Sequence, residues 1–317
     1  MRTAICTATA ILLCTQAATA AELGTTEEPI RLAINEWTGH HVTTHMIGQI
    51  LEKAGYKVEY VTAGYFNMWQ AIADGDLHGS VEVWSSNVPD HYHQLKDAGQ
   101  IVDVSGLGLD AQELFAYPAH VEELCPGLPD WEALKECAGV FATADTMPQG
   151  RLLDYPLDWG TPGAERVAAL ELPFKPVAAG SEGALVAEAR ASVEKKSPLL
   201  MVFWRPHWAI PEYDLRFVQL PPGGPECYED PSWGVNPNAT HDCDFIPTRI
   251  FKAVWSGFEE KWPAAYEFIE QFTLSTEDQE PLLGAIDVEG RSVETVVADW
   301  LAENEDKWQP LYDTVLQ

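Results

Sequence analysis

Residues 30–84 read IRLAINEWTGHHVTTHMIGQILEKAGYKVEYVTAGYFNMWQAIADGDLHGSVEVW. Ile30 to Glu36 reads as a strand, Thr43 to Ala54 as an amphipathic helix stopped by Gly55, and Lys57 to Thr62 as the next strand. Met68 to Ala73 is a short helix, and Gly79 to Trp84 a strand again. This βαβαβ alternation predicts an α/β layer built on a largely parallel sheet.

The rhythm continues further along the chain. Gly139 to Ala142 reads as a strand, Thr161 with Pro162 as a helix start, Ser181 as a second helix start, and Leu199 to Trp204 as a buried strand. From Thr248 onward the pattern is mainly helical, with apolar spacing of three and four residues over Pro263–Phe272, Ser275–Leu283 and Val293–Glu303. Pro221 to Asp244 is rich in Pro, Gly, Asn and Asp and reads as a long ordered loop. At 317 residues the chain has room for about two domains. The expectation is two α/β lobes and a helical tail.

Charge narrows the partners. Asp and Glu number 49 against 19 Lys and Arg, a net charge of -30. Such a chain repels phosphate backbones and anionic membrane surfaces, so nucleic acid and direct membrane insertion are not expected. Arg2, the apolar run Ala4 to Cys14, and Ala18-Thr19-Ala20 form a secretory signal peptide over residues 1–20, which places the mature chain outside the cytoplasm. Four cysteines then remain: Cys125, Cys137, Cys227 and Cys243. An even count in an oxidising compartment, with no C-x-x-C spacing, predicts two structural disulfides between the near pairs.

Three expected strands end in tryptophan, at Trp37, Trp84 and Trp204, and a fourth indole, Trp159, stands in the turn Asp158-Trp159-Gly160-Thr161-Pro162. Ligands of open α/β sheets sit beyond the carboxyl ends of the strands, so these indoles are placed to wall one cleft. Indole faces attract a cation whose charge is spread over methyl groups and which donates no good hydrogen bond. Trp69, Trp255, Trp262, Trp300 and Trp308 lie in stretches read as helical and are assigned to packing.

With these residues in view, the chain resembles the periplasmic substrate-binding proteins of ABC importers for glycine betaine, choline and related methylated onium compounds. Glu82-Val83-Trp84-Ser85, Asp158-Trp159-Gly160-Thr161, Phe203-Trp204-Arg205-Pro206-His207-Trp208, and Phe245-Ile246-Pro247 with Trp262-Pro263-Ala264-Ala265 carry the likeness, in the family's order. The resemblance implies a two-lobed, Venus-flytrap α/β protein, each lobe a mostly parallel sheet flanked by helices. Lobe one would comprise residues 21–112 plus 246–317, and lobe two residues 113–245. It implies a cage of Trp37, Trp84, Trp159 and Trp204, delivery of the ligand by a monomer to an ABC permease, and no required cofactor.

The departures from the family select among ligands. Where betaine binders carry a His after the first Trp, this chain has Val88, and where choline binders carry an acid two residues past Trp37 it has Gly39. Amides of Gly160 and Thr161 at a helix start suit an anionic group. Glu113, near the first crossing between lobes, suits a cation, a hydroxyl or a protonated N-oxide, which ranks trimethylamine N-oxide ahead of choline and glycine betaine.

Two other constellations stand beside this reading. Asn236, Asn238, Thr240 and Asp242 place oxygen side chains at alternating positions, a pattern that suits structural calcium. His40, His41 and His45 lie close together and keep a zinc-binding transport protein open as an alternative. A secreted acidic hydrolase is the remaining one, although no G-x-S-x-G or phosphate loop is present.

Overall fold

The computed structural model describes residues 22–317, so the expected signal peptide, residues 1–20, lies outside the described residues. Eleven strands follow in chain order: β1 Ile30–Ile34, β2 Val58–Thr62, β3 Gly79–Trp84, β4 Ile101–Gly106, β5 Gln112–Pro118, β6 Pro126–Pro129, β7 Gly150–Asp154, β8 Phe174–Ala178, β9 Met201–Arg205, β10 Leu215–Phe217 and β11 Ile250–Trp255. Ten of them form two five-stranded sheets, ordered β2-β1-β3-β11-β4 and β10-β5-β9-β7-β8. Helices flank both, giving the two-lobed α/β architecture expected.

The sheets share one plan. In the first, β1 pairs in parallel with β2 and β3, while β11 runs antiparallel between β3 and β4. In the second, β7 pairs in parallel with β8 and β9, while β5 runs antiparallel between β9 and β10. The antiparallel insert of each sheet is the strand that follows a crossing from the other one. At the crossing itself Ala111 and Thr248 form an antiparallel bridge, and the Gln112 side chain donates to the Phe245 carbonyl at 2.7 Å. Two adjacent extended segments therefore join the lobes.

The helix Thr38–Lys53 starts five residues earlier than its apolar spacing suggested, directly after Trp37. Val42, Met46, Ile47, Ile50 and Leu51 are buried on its inner face. Gly48 lets the helix close on the sheet, because a Cβ there would lie 2.3 Å from the Tyr60 hydroxyl. Ser181 caps its helix as expected and Ser275 caps the helix Thr276–Asp287, accepting from the Ala184 and Asp278 amides at 3.1 and 3.2 Å.

Two expectations are corrected. Gly139 to Ala142 is not a strand: Ala138–Phe141 is a 3₁₀ turn, and the strand follows at β7. The tail begins with β11, so Trp255 ends a strand rather than lying in a helix. A further helix, Glu305–Val315, closes the chain and packs on Pro263–Gln271. The apolar run of β11, Ile-Phe-Lys-Ala-Val-Trp, is too short to tell strand from helix by periodicity.

Both disulfides form between near pairs, Cys125–Cys137 and Cys227–Cys243, with Cα separations of 5.5 and 6.4 Å. The second fastens the loop over residues 221–244, which carries only the short helix Glu226–Glu229. Replacing Cys227 and Cys243 together with Ser is expected to lower unfolding free energy by about 3 kcal/mol through restored loop entropy. A denaturant titration with and without reductant checks it. A loss under about 1 kcal/mol would show that the loop is held by its other contacts.

Candidate functional site

Between the sheets lies a small cavity of about 30 Å³. Trp37, Tyr65, Trp84 and Asn87 line it from the first lobe, and Glu113, Tyr155, Trp159 and Trp204 from the second. Trp84 is the last residue of β3, Trp37 stands three residues past β1, and Trp204 is the penultimate residue of β9. The strand-end reading therefore brings its four indoles to one place.

The rings meet edge to face. Trp159 sits 5.4 Å from Trp37, at 77° between planes, and 5.7 Å from Trp204, at 81°. Tyr155 lies 5.7 Å from both Trp159 and Trp204, and Tyr65 lies 5.6 Å from Trp37. Edge-to-face packing satisfies the ring quadrupoles against one another and leaves π faces for the cavity. The tyrosine hydroxyls turn to backbone, donating to the carbonyls of Trp84 at 3.0 Å and Phe203 at 3.2 Å. What they offer the cavity is ring.

One carboxylate breaks the apolar wall. Register pairs Glu113 of β5 directly with Trp204 of β9. Glu113 is 2% exposed, and Asn87 donates to its Oε1 at 2.8 Å across the lobe boundary. Burial pushes its pKa above the usual carboxylate range, against the lowering effects of Asn87 and the Arg166 charge.

Gly160 and Thr161 stand outside the cavity wall. The Gly160 amide turns to the Leu157 carbonyl at 3.4 Å. The first free amides of the helix Pro162–Ala169, on Gly163 and Ala164, donate to the buried Asp154 carboxylate at 3.2 and 2.8 Å. The protein thus supplies its own anion to the Gly163 and Ala164 amides. Gly160 serves the turn itself, with φ of +99°.

Sequence reasoning missed Tyr65, Asn87 and Tyr155. Tyr155 directly follows β7, so the strand-end rule finds it once that strand is placed correctly. Tyr65 and Asn87 lie in loops just beyond β2 and β3, where no periodic signal marks them.

The remaining candidates are used elsewhere. Asp242 accepts from the Asn236 amide, the Asn236 side chain donates to the Ala169 carbonyl at 2.8 Å, and its oxygen accepts from the Asn238 amide at 3.2 Å. The Asn236 and Asp242 oxygens thus fasten their own loop. His40 is fully buried, 3.0 Å from the Ser80 hydroxyl, its pKa pushed down to about 3 by burial. His45 stacks on Tyr60 at 4.1 Å. Among the described residues no group of three or more His, Cys, Asp or Glu is placed to hold a metal ion. His40 and His45 are packing residues, and together with His41 they form no metal-holding group, so the zinc-carrier reading loses its motif.

Residues 28–303 match the family described as the substrate binding domain of the ABC-type glycine betaine transport system. The chain belongs to this family. It is a substrate-binding component of a transport system, not an enzyme, and such proteins need no cofactor. Its relatives include the trimethylamine N-oxide-binding protein of Pelagibacter ubique (strain HTCC1062), 32% identical over 292 residues that cover 90% of each chain. In fold it is similar to a choline-binding protein of an ABC transporter in complex with choline, with a TM-score of 0.72 and 17% identity over 90% of this chain and 92% of that one. Lactococcal OpuAC, closed on glycine betaine, gives a TM-score of 0.70 and 17% identity over 90% and 99%. Among the described residues no helix is long and apolar enough to cross a membrane.

The lobes also touch outside the cavity. Asp158 accepts from the Tyr65 and Phe66 amides at 2.6 and 3.3 Å. Glu182 accepts from the Thr38 amide and hydroxyl at 2.9 and 3.1 Å, while its other oxygen meets the fully buried His207 ring at 3.1 Å. Trp208 donates to Asp287 at 2.7 Å. These bonds hold the two lobes together, one of them through the backbone of the cavity-lining Tyr65. Asp158→Ala and Glu182→Ala are each expected to weaken ligand binding about three- to tenfold, for one or two charge-assisted hydrogen bonds lost from the closed form. Calorimetry measures the affinity, and small-angle scattering should show the ligand-free variants opening further. Unchanged affinity in both would remove these contacts from the closing equilibrium.

Proposed function

We propose that the protein binds a small methylated onium osmolyte in the cavity between its lobes, outside the cytoplasm, and delivers it to an ABC permease. In this reading residues 1–20 are removed on export. Residues 21–112 plus 246–317 then close on residues 113–245 about the paired crossing segments, and the protein acts as a monomer. Trp37, Trp84, Trp159 and Trp204 hold the methyl-wrapped charge, and Glu113 holds the remaining polar group.

The single observation that carries this reading is a cavity walled by six aromatic rings from both lobes with one carboxylate among them. Each well-placed ring contributes about 0.5–2 kcal/mol toward a desolvated cation, so four supply much of the roughly 8 kcal/mol of micromolar binding. A metal ion would find a single carboxylate, that of Glu113, on these walls.

Trimethylamine N-oxide ranks first, with choline and glycine betaine next. Betaine's carboxylate would face Glu113, and the Gly163 and Ala164 amides at the nearby helix start are already taken by Asp154. The raised pKa of Glu113 suits a proton shared with an N-oxide oxygen. Similarity to a protein named for trimethylamine N-oxide supports the same order.

The ligands are separable by pH. An N-oxide oxygen needs a proton from Glu113, so its binding takes up a proton and weakens as pH rises through the raised pKa. Choline's hydroxyl donates to the ionised carboxylate, so its binding weakens as pH falls through that pKa. Calorimetric titration against trimethylamine N-oxide, choline and glycine betaine at several pH values tests both ranking and mechanism. Glu113→Gln is expected to flatten either profile and cost about tenfold in affinity. Preference for betaine with no effect of Glu113→Gln would overturn the ranking, and silence toward all three ligands would overturn the function. A second check is Trp159→Ala, which removes the ring that touches both Trp37 and Trp204 and should weaken binding at least tenfold.

A further inference from the structure

Glu82 lies behind the cage rather than in it. It is 1% exposed, and no atom of it lines the cavity. Its Oε1 accepts from the indole nitrogens of Trp37 at 2.8 Å and Trp84 at 3.4 Å. Its Oε2 accepts from the Thr43 hydroxyl at 2.6 Å and the Gln279 amide at 2.9 Å. One carboxylate thus takes donors from β3, from the start of the helix Thr38–Lys53, and from the helix Thr276–Asp287.

Strand geometry explains the placement. Glu82 and Trp84 are two residues apart on β3 and so face the same side of the sheet. Gly39 completes the nest: a Cβ there would stand 3.1 Å from Glu82 Oε1 and 3.5 Å from Trp37 Cδ1. Indole nitrogens and the glutamine amide nitrogen only donate, so this set of partners matches the ionised carboxylate. Burial pushes the pKa of Glu82 up, and its four donors oppose that shift.

We propose that Glu82 is a positioning and specificity residue of the cage: it fixes the two first-lobe indoles and, through their N–H bonds, makes their ring faces more negative, so that the cavity prefers a cation over a neutral group of equal shape. An indole whose N–H is bonded to an anion is a better π partner for positive charge, because electron density withdrawn from the N–H bond returns to the ring. The carboxylate does this without ever meeting the ligand.

This inference rests on the onium reading above and is tested separately from it. Choline and its neutral carbon isostere, with tert-butyl in place of trimethylammonium, are titrated into the wild type, Glu82→Gln and Thr43→Val. Glu82→Gln should weaken choline about tenfold while changing the neutral isostere less than threefold. Thr43→Val keeps the charge and both indole bonds, so it should hold choline within threefold. Equal losses for the two ligands, or equal losses in the two variants, would make Glu82 a merely structural group and overturn the proposal. A second measurement needs no variant at Glu82. In nitrogen-15-labelled protein, the indole N–H signals of Trp37 and Trp84, assigned with Trp37→Phe and Trp84→Phe, should lie downfield and be protected from exchange. Signals like those of exposed indoles would equally refute it. A wild type that binds no onium ligand strikes the proposed function alone, since the indole signals report Glu82 directly.

Discussion

The edge-to-face contact between Trp37 and Trp159 is the point where the two lobes become one wall. Trp37 belongs to the first sheet's side and Trp159 to the second's, with 5.4 Å between ring centres. A methyl-wrapped charge donates no hydrogen bond and must be recognised by faces approaching from several directions at once. No single sheet can supply that geometry, because the carboxyl ends of its parallel strands all point one way. Two sheets of matching order, joined at adjacent crossings, can turn their carboxyl ends toward each other. The shared plan of the lobes is therefore the condition for the cage.

Buried carboxylates organise this wall at a cost that hydrogen bonds offset. Asp154 takes three backbone amides, Glu82 takes four side-chain donors, and Glu113 takes Asn87 across the lobes. An unpaired buried charge would be far too expensive to keep. The three differ in how fully they are satisfied. Asp154 and Glu82 are enclosed by donors of their own chain, whereas Glu113 borders the cavity and keeps capacity for a ligand group.

Much of this was legible before any coordinates. Strand-ending tryptophans at 37, 84 and 204 and the Trp-Gly turn at 159 were found because side-chain type and strand position coincide in the chain. The near-pair disulfides followed from spacing. What stayed hidden was non-local. The pairing of Glu113 with Trp204 depends on an antiparallel register between segments about ninety residues apart. Glu82 looked like an ordinary strand residue until Thr43 and Gln279 arrived from two other elements. Thr161 with Pro162 does mark a helix start, but the Gly163 and Ala164 amides just inside it belong to Asp154, a residue the local sequence does not point to. The strand placed at 139–142 slipped because short apolar runs carry no period, and that slip concealed Tyr155.

In the proposed reading, closure is a balance in which the ligand needs only to tip the scale. Asp158 and Glu182 each leave water to accept backbone amides from the opposite lobe, and desolvation removes most of what those bonds return. Without a ligand, the closed form would also press six aromatic rings around a space with little to fill it. A bound cation supplies the missing contacts on both walls at once, and only when both walls are present. Its interaction energy is thus spent almost entirely on the closed form, which is the differential affinity that a population shift requires. A neutral ligand of the same shape would fill the space yet gain less from ring faces backed by Glu82. In this molecule, selectivity for charge and the drive to close have a common origin in the indoles.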